Sequence, residues 1–137
     1  METTEKRLTL ESTIAHVRDF HDAFGIENAS QITARLSEQD YMLRHNLIKE
    51  ENDEYIEACR NNDLVEIADA LGDQLYILCG TILKHGLENK IEEVFLEIQR
   101  SNMSKLGANG KPIYREDGKV LKGENYFKPD IKSILES

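Results

Sequence analysis

Apolar residues recur at helical spacing along most of the chain. Between about residues 12 and 24, Ile14, Val17 and Phe24 share a face with Phe20 or His21, and this period of 3.6 residues predicts an amphipathic helix. The same spacing predicts three longer helices, at about 40–60, 64–85 and 88–106, and a short terminal helix from about residue 130. We expect Ser12 or Thr13 to cap the first helix and Gly25 to follow it, while Asp63 caps the third.

Two segments lack this period. Residues 26–39 are polar and mixed, which indicates a connection with a short helical turn. Residues 107–128 contain the turn signals Asn109-Gly110 and Asp117-Gly118, so we expect an irregular arm or a small hairpin. Helices joined by short connections imply antiparallel neighbours. The sequence therefore predicts one all-α domain over residues 1–137, an antiparallel four-helix bundle with a short C-terminal arm.

Charge is distributed unevenly over this predicted bundle. The 137 residues are 39% hydrophobic and 31% charged, as in soluble globular proteins. The net charge is −9, but residues 1–99 carry −12 and residues 100–128 carry +4. Either the basic segment packs on the acidic body, or a cation-binding carboxylate site faces a group of anion binders. The acidic body argues against nucleic acid and membranes as partners.

Cysteine usage and the apolar segments bear on location. No stretch approaches the roughly 18 apolar residues of a membrane span. The first residues lack the apolar segment of a secretory signal. Cys59 and Cys79 have no metal-type spacing, so we expect two buried free thiols in a reducing compartment. Together these features favour a cytoplasmic protein.

Two of the predicted helices carry carboxylates on faces that are otherwise apolar. Glu51 and Glu54 lie three residues apart on one helix, and Glu66 and Asp69 do so on the next, with Asp73 one turn further on. Carboxylates this close cannot all stay ionised without compensation, and a hard cation such as Mg²⁺ supplies it. The alternative is a solvated acidic face, the usual fate of Glu-rich helices.

The pattern Glu50-Glu51-x-x-Glu54 followed by Glu66-x-x-Asp69 resembles the metal-binding signature of the all-α, MazG-like nucleoside triphosphate (NTP) pyrophosphohydrolases. The run from Ser101 to Lys105 and the Gly- and Lys-rich tail look like the phosphoribosyl-ATP pyrophosphohydrolase-like branch. The resemblance covers the chain from about residue 12 onward. It implies Mg-dependent hydrolysis of a nucleotide at the α-phosphorus, which releases the monophosphate and pyrophosphate.

The resemblance also implies roles for individual residues. Its metal ligands, for Mg²⁺ with Mn²⁺ as the alternative, are Glu51, Glu54, Glu66 and Asp69, with Glu50 and Asp73 as further candidates. Glu51 or Glu54 would position the attacking water or accept its proton. Candidate substrate contacts are Asn102, Lys105, Lys111, Lys119 and Lys122. Phe20, His21 and Phe24 could line a base pocket, but their helical spacing is more typical of a core.

Partners and alternative functions follow from the same resemblance. Members of the family assemble as dimers or tetramers, so we expect a homodimer or homotetramer. House-cleaning of the nucleotide pool is the favoured role, with phosphoribosyl-ATP as an alternative substrate. A non-catalytic helical protein that binds nucleotides or a protein partner stays open. A nucleic-acid-binding module is a third class, supported only by the basic segment.

Overall fold

The computed structural model describes residues 7–137, and five helices account for most of them. These are α1 (Leu10–Ala23), α2 (Glu38–Arg60), α3 (Leu64–Lys84), α4 (Ile91–Met103) and α5 (Ile131–Glu136). Within this described range there is no strand, only an isolated antiparallel bridge between Tyr114 and Val120. None of the helices found there has the length and apolar character needed to cross a membrane. The predicted all-α fold class is confirmed.

Helix α1 begins one turn earlier than predicted. The Thr9 hydroxyl accepts from the Ser12 backbone N–H at 3.1 Å, and the Ser12 hydroxyl accepts from the Thr9 N–H at 2.8 Å. This reciprocal pair is a capping box, so the N-cap is Thr9 and the prediction of Ser12 or Thr13 was wrong. The helix ends as predicted, with Phe24 as C-cap and Gly25 at a φ of 69°.

Helices α2 and α3 form an antiparallel hairpin around the tight turn Asn61–Asp63. Asn62 has a φ of 52°, a left-handed conformation that Asn tolerates better than most residues. The Asp63 carboxylate accepts from the Glu66 N–H at 3.1 Å and caps α3 as predicted. Because the turn is short, α2 and α3 run side by side over several turns.

Three side-chain hydrogen bonds, two from Arg44 and one from Gln74, fix the alignment of this hairpin. Near the start of α2, the Arg44 guanidinium donates to Thr81 and to the Ile77 carbonyl of α3. Further along, the Gln74 amide of α3 lies 3.5 Å from the Glu51 carbonyl oxygen of α2.

The buried core of the segment that ends at Glu88 comes from all three of its helices. Its apolar members are Ile14, Val17, Ala58, Ala70, Cys79, Ile82 and Leu83. His21 is also buried, but Phe20 and Phe24 are 39% and 69% exposed, so the expectation that all three belong to the core was wrong for both phenylalanines. Cys79 is a buried free thiol as predicted, whereas Cys59 is only half-buried.

The connection between α1 and α2 has no helical turn, contrary to expectation. It is held instead against the end of α3, where the Ala29 N–H donates to the Leu83 carbonyl at 3.2 Å and the Thr33 N–H to the His85 carbonyl at 3.0 Å. Gly86 has a φ of 70°, and a Cβ there would lie 2.5 Å from the Gln31 carbonyl oxygen. The backbone of this loop therefore forms its hydrogen bonds with the end of α3 and not within a helical turn of its own.

The chain divides into two compact units, one that ends at Glu88 and one that comprises Asn89–Ser137. A single domain over the whole chain stays a prediction. In the second unit, Phe127 anchors the arm to α4. Its carbonyl accepts from the buried Ser101 hydroxyl at 2.8 Å, and its N–H donates to the Ser104 hydroxyl at 3.1 Å. The Arg100 guanidinium lies 4.3 Å from the centre of the Phe127 ring.

The arm contains the small hairpin that its turn signals predict. The bridge between Tyr114 and Val120 flanks a turn at Asp117-Gly118, where Gly118 has a φ of 88°. The Asp117 carboxylate accepts from the Lys119 N–H at 3.1 Å and stabilises the turn.

Candidate active site

The α2–α3 hairpin brings four carboxylates into mutual electrostatic contact. Burial, a hydrogen bond with Glu54 and the charges of Asp73, Glu54 and Asp69, in this order of size, together raise the pKa of Glu51 to about 7. Burial also raises the pKa of Asp73, followed by the charges of Asp69 and Glu54. The sequence-predicted Glu51, Glu54, Asp69 and Asp73 therefore act on one another across the hairpin. We call these four residues the carboxylate cluster.

None of the four forms an ion pair with another residue of the described chain. Asp53, between Glu51 and Glu54, offers a contrast because its carboxylate accepts from the Lys49 ammonium at 2.8 Å. The charge of Asp53 is thus compensated on the outer face of α2. The carboxylate cluster has no such cation within residues 7–137.

Within the described part of the chain, one carboxylate oxygen of Glu51 lacks the hydrogen-bond partner that a buried polar atom needs. Its Oε2 atom is buried and has no hydrogen-bond partner among the described residues. A buried carboxylate oxygen without a partner is costly, so it must be protonated or must face a cation. The raised pKa of Glu51 favours protonation, and a bound cation would be the other way to compensate this oxygen.

The donor set matches a hard cation in its chemistry. Every member of the carboxylate cluster offers oxygen ligands, which Mg²⁺ and Mn²⁺ prefer. In residues 7–137, however, no three His, Cys, Asp or Glu side chains converge into a ready metal site. Mutual repulsion is a physical reason for uncompensated carboxylates to stay apart. The residue types suit the cation as ligands, but their side chains are not already arranged around one point.

Two further predicted ligands, Glu50 and Glu66, are exposed and lie outside this electrostatic group. Glu66 occupies the first turn of α3, where its N–H donates to Asp63, and neither glutamate contributes to the raised pKa of Glu51. Their roles as metal ligands stay predictions. Asp73, which the resemblance placed at the margin of the site, contributes directly to the raised pKa of Glu51.

A cavity of about 630 Å³ is lined by residues of α1, α2 and α3 and begins one helical turn from the carboxylate cluster. On α2 its wall reaches Leu47, one turn before Glu51, and on α3 it reaches Ile77, one turn after Asp73. Its other lining residues are Val17, Phe20, His21, Gly25, Ile26, Glu27, Asp40, Leu43, Arg44, Tyr76 and Lys84.

Sequence reasoning missed Arg44 and Tyr76, which both line this cavity. The available signal was spacing: Arg44 shares a face of α2 with Leu47 and Glu51, and Tyr76 lies three residues after Asp73 on α3. The Phe20 and Tyr76 rings meet edge to face with centroids 5.6 Å apart. The phenylalanine is therefore a cavity wall residue rather than a core residue.

The predicted substrate contacts all lie in the second unit. Asn102 is exposed in the last turn of α4, and Lys105 follows the helix with its carbonyl bonded to Gly123. Lys111, Lys119 and Lys122 are exposed along the arm, and the Lys122 ammonium lies 4.7 Å from the centre of the Tyr126 ring. Their binding roles stay predictions.

Comparison with known proteins gives one family and one fold. Residues 17–102 match the family described as phosphoribosyl-ATP pyrophosphohydrolase. The chain is also similar to a solved structure of a protein from Exiguobacterium sp. 255-15, a candidate NTP pyrophosphohydrolase. The two are 24% identical with a TM-score of 0.50, and the similarity covers 96% of each chain. No curated protein matches. The structural likeness confirms the predicted fold class of the NTP pyrophosphohydrolase type.

Proposed function

Because the chain belongs to the phosphoribosyl-ATP pyrophosphohydrolase family, we propose that it hydrolyses a nucleoside triphosphate at the α-phosphorus to the monophosphate and pyrophosphate. The observation that carries the proposal is the buried, unpartnered Oε2 of Glu51 amid three further carboxylates. A purely structural helix pair has no use for such a group. A nucleotide hydrolase that needs a divalent cation does.

The residues that would hold Mg²⁺ or Mn²⁺ are Glu51, Glu54, Glu66 and Asp69, with Glu50 and Asp73 as additional candidates. The cation would supply neutralisation of phosphate charge and activation of water near neutral pH. Glu51 and Glu54 are the candidate catalytic residues. A carboxylate with a pKa near 7 can accept a proton from water at physiological pH, and its partner can orient that water.

The substrate side of the proposal rests on the basic segment of the second unit. Asn102, Lys105, Lys111, Lys119 and Lys122 would bind the phosphates, since an ammonium is a suitable point charge for phosphate oxygens. A homodimer or homotetramer in the cytoplasm completes the proposal. House-cleaning of surplus or non-standard nucleotides is the role that we favour.

Phosphoribosyl-ATP is the second candidate substrate. The specific observation in its favour is the family match over residues 17–102. Both candidates involve the same reaction at the same phosphorus, so they differ only in what occupies the rest of the site. A non-catalytic nucleotide-binding protein is the remaining alternative.

The test is pyrophosphate release from a panel of nucleoside triphosphates and phosphoribosyl-ATP with Mg²⁺ or Mn²⁺. Glu54→Gln should reduce turnover by about 10²-fold or more, the usual range for loss of an acid–base group. Asp53→Asn is the matched control, because its carboxylate is the immediate neighbour and is already paired with Lys49. Its activity should stay within a few-fold of wild type. No turnover of any substrate, or equal loss in both variants, would refute the catalytic proposal.

A further inference from the structure

Arg44 lines the cavity, and only part of its guanidinium is hydrogen-bonded by the described residues. Its Nε donates to the Thr81 hydroxyl at 2.9 Å, and its Nη2 donates to the Ile77 carbonyl at 2.6 Å. Within the described chain no carboxylate pairs with it, and burial lowers the pKa of its guanidinium. The side chain is therefore held rigidly by α3 while its charge is left without a counter-ion.

The two bonds to α3 leave a defined part of the guanidinium available. They use Nε–H and one N–H of Nη2, which form one edge of the planar fork. The end edge, with Nη1 and the second N–H of Nη2, has no partner in residues 7–137. A fixed pair of parallel N–H groups suits a ligand that presents two acceptors side by side.

The absence of a side chain at Gly80 makes room for this arrangement. A Cβ at Gly80 would lie 2.6 Å from Arg44 Nη2 and 2.9 Å from His21 Nε2. The imidazole of His21 is fixed by a 2.6 Å hydrogen bond between its Nδ1 and the Asn28 side chain. Arg44 and His21 thus meet over Gly80 as polar groups of the same cavity.

The other walls of the cavity suit a flat, aromatic ligand. Phe20 and Tyr76 are 39% and 42% exposed, which leaves ring surface available for stacking. Lys84 is already engaged, since its ammonium donates to the Glu27 carbonyl at 2.7 Å and lies 3.9 Å from Asp40. A volume of about 630 Å³ lies within the range of small-molecule sites and admits a purine.

We propose that this cavity binds the nucleobase and that Arg44 selects 6-oxopurines through its free guanidinium edge. The inference rests on the proposed function, in which a cation at the carboxylate cluster, one helical turn away, would neutralise phosphate charge. An arginine fork pairs with the O6 and N7 acceptors of guanine, and hypoxanthine offers the same two atoms. Adenine has an amino donor at position 6, which would face the arginine donors.

The decisive comparison is kcat/KM for ITP and ATP, whose purine rings differ at position 6 and in the proton that hypoxanthine carries on N1. Wild type should favour ITP by about tenfold or more, the discrimination expected of a bidentate contact. Arg44→Met removes every donor of the guanidinium, so it should bring the ratio close to one by slowing ITP alone. 7-Deaza-GTP, which lacks the N7 acceptor, should be a poorer substrate than GTP for wild type and an equal one for the variant.

A matched control separates base selection from loss of structure. Lys49→Met removes a cation from the same helix but outside this cavity, so the ratio of ITP to ATP should not change. A second readout is thermal stability, because Arg44 also joins α2 to α3. An equal loss of ITP and ATP activity in Arg44→Met, or an unchanged ratio, would overturn the proposal.

Binding of IMP and AMP makes this test independent of turnover. Backbone amide spectra of the ¹⁵N-labelled protein should show tighter binding of IMP, with shifts at Phe20, Tyr76 and Gly80. If no substrate is hydrolysed but IMP is preferred in this way, the proposed function fails while the base site stands. Binding that does not distinguish the two nucleotides, or shifts confined to other residues, would refute the base site whatever the hydrolysis assay gives.

Discussion

Two sites of this protein use glutamate in opposite ways. We call Glu51 with the rest of the carboxylate cluster the Glu51 corner, and Glu97 with Arg100 and Asp130 the Glu97 corner. In the carboxylate cluster, Glu51 lies three residues before Glu54, and burial and neighbouring charge raise its pKa to about 7. In α4, Glu97 lies three residues before Arg100, and a hydrogen bond from this guanidinium lowers its pKa, helped by the N–H of Asp130. The residue type and the spacing are the same, but burial dominates at Glu51 and the cationic partner dominates at Glu97.

The comparison distinguishes a carboxylate that stabilises the structure, Glu97, from one that is available for chemistry, Glu51. Both oxygens of the Glu97 carboxylate have partners: Arg100 donates to it at 2.7 Å and covers the Phe127 ring, and the Asp130 N–H donates at 2.7 Å. This corner holds the end of the arm in place. In the Glu51 corner, the buried Oε2 of Glu51 has no hydrogen-bond partner among residues 7–137, which favours binding of a proton or a cation there.

The largest expected effect is stabilisation of the Glu51 corner by a cation. At one hundred times its dissociation constant, Mg²⁺ should add about 2.7 kcal/mol to the free energy of unfolding, provided that only the folded chain binds it. Protons compete for the same oxygens, so the rise in melting temperature should be greater at pH 8 than at pH 5.5. Thermal melts with and without Mg²⁺ measure this rise.

Glu51→Gln isolates the contribution of that carboxyl group. Its folded pKa of about 7 exceeds the ordinary value of 4.5, so the folded state binds the proton more tightly. Stability from this group is full below about 4.5 and is lost as the pH rises to about 7. Without metal, the variant should therefore lose less stability than wild type over this interval. Equal pH profiles, or an undiminished Mg²⁺ response in the variant, would contradict the assignment.

A smaller effect should follow when the first corner is converted into the second. Glu54→Lys places a cation three residues after Glu51, as Arg100 follows Glu97. We expect the pKa of Glu51 to fall, the Mg²⁺ response to disappear and the metal-free protein to melt at a higher temperature at pH 8. Carboxyl titration by NMR measures the pKa directly. A Glu51 pKa that stays near 7 in this variant would show that burial alone sets it.

The smallest effect is expected at the Glu97 corner itself. Glu97→Gln removes an ion pair whose Arg100 partner is exposed, and such pairs stabilise proteins only slightly, while the amide oxygen can still accept from the Asp130 N–H. Because the pKa of Glu97 is lowered on folding, its contribution is present at neutral pH and is lost as the pH falls through the folded pKa. The variant should match wild type at low pH and melt slightly earlier at pH 7, with unchanged pyrophosphate release. A loss of activity would mean that this corner is more than structural.

The features that sequence predicted best are those set by local spacing. The helices, the Asp63 cap, the turn at Asp117-Gly118 and the pairing of Glu51 with Glu54 all follow from residues a few positions apart. Phe20 and Phe24 were misjudged because helical periodicity identifies an apolar face without revealing what lies against it. In this case that face borders a cavity.

The position of Arg44 could not be predicted for a different reason. Its bonds to Ile77 and Thr81 join residues more than thirty positions apart, and no local pattern encodes them. The hairpin that brings them together was predictable, but the pairing of individual side chains across it depends on register. The same limit applies to Asp73, whose influence on Glu51 needs α2 and α3 in their observed alignment.

The tight turn at Asn61–Asp63 also has a consequence for how the chain folds. It makes the contacts between α2 and α3 close in sequence, and contacts of this kind form early and rapidly. The carboxylates of the cluster therefore approach one another while most of the chain is still unfolded. Their repulsion opposes an early step of folding, so protonation or a divalent cation should speed refolding as well as stabilise the product.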